Sequence, residues 1–132
     1  MSKMNETSET GYLQFPVNTE TNRFCLTLEL KNDPHLVKEY EEWHQPENIW
    51  PEIPEGLKQV GIMDMEIYRS GTTLFMILTV PVNFDFEEQM GKLASLPRQA
   101  EWEDFMANYQ QAIPGTSSAE RWVKLKRVFK LP

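Results

Sequence analysis

The chain has 132 residues and a formal net charge of −7, from 13 Lys and Arg against 20 Asp and Glu; that length suits one domain with one core and excludes two. The acidic residues are scattered through periodic segments, and the basic residues that gather in "RWVKLKRVFK" alternate with apolar ones as a solvated sheet face would, which argues against nucleic acid as a partner. Cys25 is the only cysteine, so an intrachain disulfide is excluded and a reducing, cytoplasmic setting is expected; no secretory h-region or membrane-length apolar run is present, so no membrane is expected either.

Residues 1 to 21 are rich in Ser, Thr, Asn and Glu and bury too little to offset the entropy of ordering, so they are expected to form a flexible arm ahead of a single domain over 22–132. "RFCLTLEL" (23–30) alternates, with Phe24, Leu26, Leu28 and Leu30 on one side, which predicts a half-buried strand. In "NDPHLVKEYEEW", Asp33 is placed to cap a helix and Pro34 to occupy its first position, while Leu36, Val37, Tyr40 and Trp43 follow at helical spacing to an end near His44. Prolines 46, 51 and 54 break continuity, yet Ile49, Ile53, Leu57 and Val60 keep helical spacing and predict a second helix over about 49–59 before Gly61.

"IMDMEIYR" and "TTLFMILTV" then read as strands joined by a short hairpin at "SGT". "FDFEEQMGKLASL" and "RQAEWEDFMANYQQ" read as helices, the second with Trp102, Phe105, Met106 and Tyr109 on one stripe. "PGTSSAE" reads as a loop, and "RWVKLKRVFKL" as a last strand whose basic residues alternate with Trp122, Val123, Leu125, Val128 and Phe129. The order β-α-β-β-α-β predicts an α+β, ferredoxin-like fold. Its third strand is apolar on both sides, so a second cover for the sheet is needed, and a homodimer joined sheet to sheet, a dimeric α/β barrel, provides one.

The chain has no P-loop, glycine-rich dinucleotide fingerprint, H-E-x-x-H or C-x-x-C. No cofactor and no metal is therefore expected. Tyr40 and His44 are four residues apart, which on a helix sets both on one face within reach of one small ligand. An imidazole exchanges a proton near neutral pH and a tyrosine hydroxyl can steer it. On spacing alone, a histidine at a helix C-terminus is better explained by the macrodipole, and His35 reads as solvated. Trp43, Trp50, Trp102 and Trp122 fit core packing as readily as ligand stacking. Asp64 and Glu66 share a strand face with Tyr68, which fits a polar cavity or an exposed sheet face.

The run "YEEWH", then "IWPEIPEGLKQVGIMDMEIYR", "LFMILTV", the tryptophan of "EWEDFM" and the closing "RVFKLP" together resemble the L-rhamnose mutarotase family, including relatives assigned to L-fucose. The resemblance covers about residues 23 to 132 in one order. It implies a ferredoxin-like chain that dimerises through its sheets, and an enzyme without cofactor that interconverts the anomers of a 6-deoxy-L-sugar. It implies that His44, of a Tyr-x-x-x-His pair ahead of I-W-P-E, transfers the proton, and that Tyr40 contacts the sugar.

Trp102 carries over from a Trp-Trp pair and is expected to pack on the sugar's apolar face. Glu103 stands where rhamnose-type members have the second tryptophan, and Met65 where they have a tyrosine; Glu103 is expected to bind a hydroxyl. "HQPENIW" is two residues longer than the corresponding rhamnose-type segment, which implies a shifted pocket rim. Two rivals from other classes remain on these residues: a haem-type protein of the same fold with His44 on iron, and a non-catalytic sugar-binding module with Tyr40 and Trp102 as a stacking platform.

Overall fold

The computed structural model describes residues 20–111, residue 116 and residues 118–132. The expected arm lies, up to residue 19, outside the described residues. Strand β1 (Thr21–Glu29) is followed by helices α1 (Pro34–Trp43) and α2 (Glu52–Gln59), the hairpin of β2 (Asp64–Ser70) and β3 (Thr73–Pro81), helices α3 (Phe86–Ala94), α4 (Gln99–Met106) and α5 (Ser118–Arg121), and β4 (Val123–Lys124). The four strands form one antiparallel sheet in the order β2-β3-β1-β4, so this is a small α+β protein.

Alternation decides which side of the sheet the helices cover. In β3, Leu74, Met76, Leu78 and Val80 are buried while the residues between them are half-buried. Register carries that face across the sheet, since Leu26 pairs with Met76, Leu28 with Leu74, and Ile67 with Met76. The opposite face holds Cys25, Thr27, Phe75, Ile77, Glu66 and Tyr68, with Tyr68 54% exposed. The hairpin turn depends on Gly71 at φ 61°, and Gly61, at φ 99°, ends the approach from α2 to β2; both lie in the left-handed region where a Cβ is costly.

Helix α1 is built as its sequence predicts: the Asp33 carboxylate accepts from the His35 N–H at 2.9 Å, Pro34 sits in the first turn, and His44 caps the end. The extra residues after His44 form a turn tied back to α1, with the Asn48 side chain donating to the Glu42 carbonyl at 2.8 Å and the Ile49 N–H to Gln45 at 3.0 Å. The second helix starts three residues later than the apolar spacing suggests, because Pro51 and Pro54 fit only a first turn.

Two expectations need correction. The end of the loop expected over "PGTSSAE" is the short helix α5. The last strand, expected over 121–131, pairs only at Val123 and Lys124, with one further bond from the Leu125 N–H to the Cys25 carbonyl at 2.7 Å. Alternation describes two faces, whereas a strand also needs an edge to bond with, and residues 126–132 have none among the described residues. Val128 and Phe129 are left 88% and 71% exposed.

Candidate active site

A cleft lies between the helix-covered face of the sheet and the ends of α1 and α4. Its outer part, about 350 Å³, is bordered by Tyr40, Glu41, His44, Gln45, Ile67 and Arg69. It adjoins an inner hollow of about 90 Å³ that shares Tyr40, His44 and Ile67 and adds Met65, Trp102, Glu103 and Gln110. A third, mostly apolar hollow of about 100 Å³ continues inward past Met65, Glu103 and Trp122. Tyr40 and His44 stand where the outer and inner parts meet.

The i, i+4 spacing on α1 stacks these two side chains, with ring centroids 4.3 Å apart. His44 Nδ1 lies 2.7 Å from the Tyr40 backbone carbonyl. A carbonyl only accepts, so Nδ1 carries the hydrogen and the neutral ring's acceptor is Nε2. Burial lowers the His44 pKa from its ordinary value, and the hydrogen bond to the Tyr40 carbonyl works in the opposite direction. The imidazole is thus held neutral and base-ready. Tyr40 is 4% exposed; burial raises its pKa, opposed by a hydrogen bond from Gln110, so the phenol keeps its proton.

Trp102 is buried on the inward face of α4, edge-on to His44 at 5.5 Å and to Trp50 at 5.1 Å. Trp43 and Trp50 form a second layer against Phe105, Trp50 stacked and Trp43 edge-on. Glu103 follows Trp102 into the cleft, where its Oε2 accepts from Gln99 Nε2 at 3.1 Å. Gln99 is buried and its Oε1 has no hydrogen-bond partner.

The structure therefore gathers Tyr40, His44, Trp102, Glu103 and Met65 around one hollow. It separates Asp64 and Glu66, which lie with Tyr68 on the opposite sheet face, Tyr68 donating to Glu66 at 3.3 Å. His35 is exposed. Gln45, within the longer segment after His44, borders the outer cleft. Sequence reasoning missed Gln110, Gln99 and Arg121. Trp122 was legible as an alternating strand residue, but Gln110, which lines the inner hollow, and Gln99, which meets Glu103, carry no pattern that marks them. Among the described residues no group of three or more His, Cys, Asp or Glu side chains is gathered to hold a metal.

With this geometry in hand, the family model described as L-rhamnose mutarotase matches residues 23–131. The chain belongs to the L-rhamnose mutarotase family. Mutarotases of this family are carbohydrate isomerases. An L-fucose mutarotase of Xanthomonas campestris pv. campestris is 39% identical over 109 residues, spanning 83% of this chain and 87% of its own. An L-rhamnose mutarotase of Acidiphilium cryptum is 31% identical over 112 residues, spanning 81% of this chain and 97% of its own. The crystal structure of an L-rhamnose mutarotase from Formosa agariphila covers 84% of this chain and 99% of its own with a TM-score of 0.62. At 24% sequence identity that likeness speaks for the family's fold.

Proposed function

We propose that this protein is an aldose mutarotase that interconverts the α and β anomers of a 6-deoxy-L-sugar, with L-fucose the first substrate to test and L-rhamnose the second. The observation that carries this reading is the His44 imidazole, tied at Nδ1 to the Tyr40 carbonyl and lining the cleft beside the Tyr40 ring. L-fucose takes precedence because Met65 and Glu103 depart from the rhamnose-type pattern and the L-fucose mutarotase relative is the more similar of the two named above.

Ring opening moves one proton from the anomeric hydroxyl to the ring oxygen as the C1–O5 bond breaks and C1–O1 becomes a carbonyl. His44 Nε2 takes the proton from O1, and the resulting imidazolium, disfavoured by burial, returns it to O5. Rotation about C1–C2 and the reverse transfers close the ring on the other face. Positioned general acid–base catalysis contributes about 10²–10⁴-fold, and orientation adds to it, which suffices for a reaction that already proceeds in water. Trp102 packs on the C–H face of the sugar and Glu103 accepts from a sugar hydroxyl.

The same reading makes the chain one half of a ferredoxin-like, dimeric α/β barrel in the cytoplasm. The strand order β2-β3-β1-β4 supports the ferredoxin-like topology, and exposed Tyr68, Val123 and Leu125 beside Phe75 and Ile77 support a second sheet as the cover. Among the described residues no helix is long and apolar enough to cross a membrane.

The test is saturation-transfer NMR of anomer exchange on L-fucose and L-rhamnose. His44→Ala is expected to reduce exchange to the uncatalysed rate with an unchanged circular dichroism spectrum. Undiminished exchange in that variant overturns the assignment.

A further inference from the structure

The mechanism above gives no task to Gln110, which lines the inner hollow, or to Arg121, which is bonded to it. Gln110 is 3% exposed, on the segment after α4 that bridges to Leu30. Its Oε1 accepts from Arg121 Nη1 at 2.9 Å. A guanidinium has donors only, so the amide oxygen is the atom that faces it and the NH₂ group is turned the other way. Gln110 and Tyr40 line the same inner hollow, and a hydrogen bond from Gln110 opposes the rise in the Tyr40 pKa. An amide nitrogen likewise only donates, so the phenol oxygen is the acceptor in that bond.

Arg121 is itself tied down. Its Nη2 and Nε donate to the Thr116 carbonyl at 2.6 and 3.2 Å, and Nη1 also reaches the Glu103 carbonyl at 3.3 Å. The amide oxygen of Gln110 is therefore held toward the guanidinium, which leaves its NH₂ group as the donor available to the phenol oxygen.

We infer that Arg121 and Gln110 are positioning residues that fix the Tyr40 hydroxyl as a hydrogen-bond donor into the cleft, aimed at the ring oxygen of the sugar. This rests on the mutarotase reading and deepens it. With Gln110 bonded to the phenol oxygen, the hydroxyl rotor turns its hydrogen toward the cavity, beside an imidazole whose Nε2 is an acceptor. The site then offers one acceptor and one donor a helical turn apart. That polarity suits a substrate whose O1–H must lose a proton while O5 gains electron density as C1–O5 breaks. Burial acts in the same sense, because a phenol held above its ordinary pKa stays protonated through the working range. Without Arg121 the amide is free to flip, and a flipped Gln110 would present an oxygen that pulls the Tyr40 proton away from the sugar.

The experiment combines a double-mutant cycle with an NMR readout on the full chain. Gln110→Leu is expected to lower kcat by about 10-fold with KM changed less than about 3-fold, the scale of one hydrogen bond lost in the transition state. In a Tyr40→Phe background the same change is expected to cost less than about 2-fold; a full loss there overturns the inference, because it shows that Gln110 acts without the hydroxyl. Arg121→Leu is expected to reproduce the loss and Arg121→Lys, which keeps a donor, to restore part of it.

The second readout needs no activity. In ¹⁵N spectra of the sugar-free protein, the Gln110 side-chain amide protons are expected to shift in Tyr40→Phe and in Arg121→Leu. Unmoved resonances overturn the relay even if either Gln110 variant fails to fold. Should His44→Ala retain full anomer exchange while the amide signals respond, the mutarotase mechanism fails and the Arg121–Gln110–Tyr40 relay stands.

Discussion

Trp102 meets the His44 ring edge-on, with centroids 5.5 Å apart and planes at 70°, while Tyr40 lies against the same imidazole at 4.3 Å. With Nδ1 held by the Tyr40 carbonyl, these contacts leave the imidazole one orientation and one tautomer. Both favour the base of the proposed mechanism, since no reorganisation is needed when substrate arrives.

The pH dependence follows from burial. His44 has a pKa lowered from 6.5, so the neutral base persists as pH drops below that value, and the acidic limb of kcat/KM is expected to fall below pH 6.5. Stability has a matching sign: the unfolded chain takes up the proton more readily than the folded one, so folding free energy declines as pH falls from 6.5 toward the depressed pKa. Histidine NMR titration checks both, with Nδ1 protonated and Nε2 bare at neutral pH. A His44 midpoint at or above 6.5 contradicts this account.

Substrate choice is expected to respond to the two departures from the rhamnose-type pattern. Met65 and Glu103 both line the inner hollow, where a sugar hydroxyl left without a partner costs about 1–3 kcal/mol. Met65→Tyr is expected to raise the ratio of L-rhamnose to L-fucose exchange rates by about 10-fold. Glu103→Gln, which keeps the shape and removes the charge, is expected to weaken the preferred sugar mainly through KM. A ratio unchanged in both variants places specificity elsewhere in the cleft.

Arg98 offers a stability test away from the chemistry. It is the only non-glycine residue with a left-handed backbone among the described residues, at φ 65°, and its guanidinium lies over the Trp50 ring at 3.9 Å. Its Nη1 is 3.9 Å from Glu52 Oε1, a separation too long for a hydrogen bond. The stacking, worth about 0.5–1 kcal/mol at a part-exposed site, offsets a backbone cost of about 1–2 kcal/mol. Arg98→Gly loses the first and relieves the second, whereas Arg98→Ala only loses the first. Urea denaturation is expected to find Arg98→Gly more stable than Arg98→Ala by about 1 kcal/mol; the reverse order would show that the left-handed turn is not the costly feature.

The sheet face opposite the helices carries the proposal of a dimer. Val123 is 57% and Leu125 43% exposed, next in register to Thr27 and Cys25. Static light scattering at micromolar concentration is expected to return twice the chain mass, and Val123→Lys with Leu125→Lys to shift it toward one. A wild-type monomer at that concentration would count against the barrel.

Much of this molecule is written in short-range pattern. The alternation of 23–30, the Asp33–Pro34 start of α1 and the Trp102–Phe105–Met106–Tyr109 stripe each follow from backbone periods that one segment carries alone. The Tyr40–His44 pair is legible for the same reason, as are Trp102 and Glu103 once the family likeness marks them. What no segment carries is who stands opposite. Residues 126–132 alternate like a strand yet pair with nothing among the described residues, because pairing requires a free edge at the right register. Gln110 follows α4 with no pattern of its own, and only the fold sets it between Arg121 and Tyr40, 70 residues away along the chain.

The amino-acid sequence by itself determined the β1 alternation, the Asp33–Pro34 start of α1 and the one helix face that bears Tyr40 and His44, because those are settled by neighbours two to four positions away. Tertiary structure alone decided which way the Gln110 amide is turned beside them. A glutamine or a tyrosine can donate or accept, and the choice is made only when a guanidinium, which can do nothing but donate, is packed against one end.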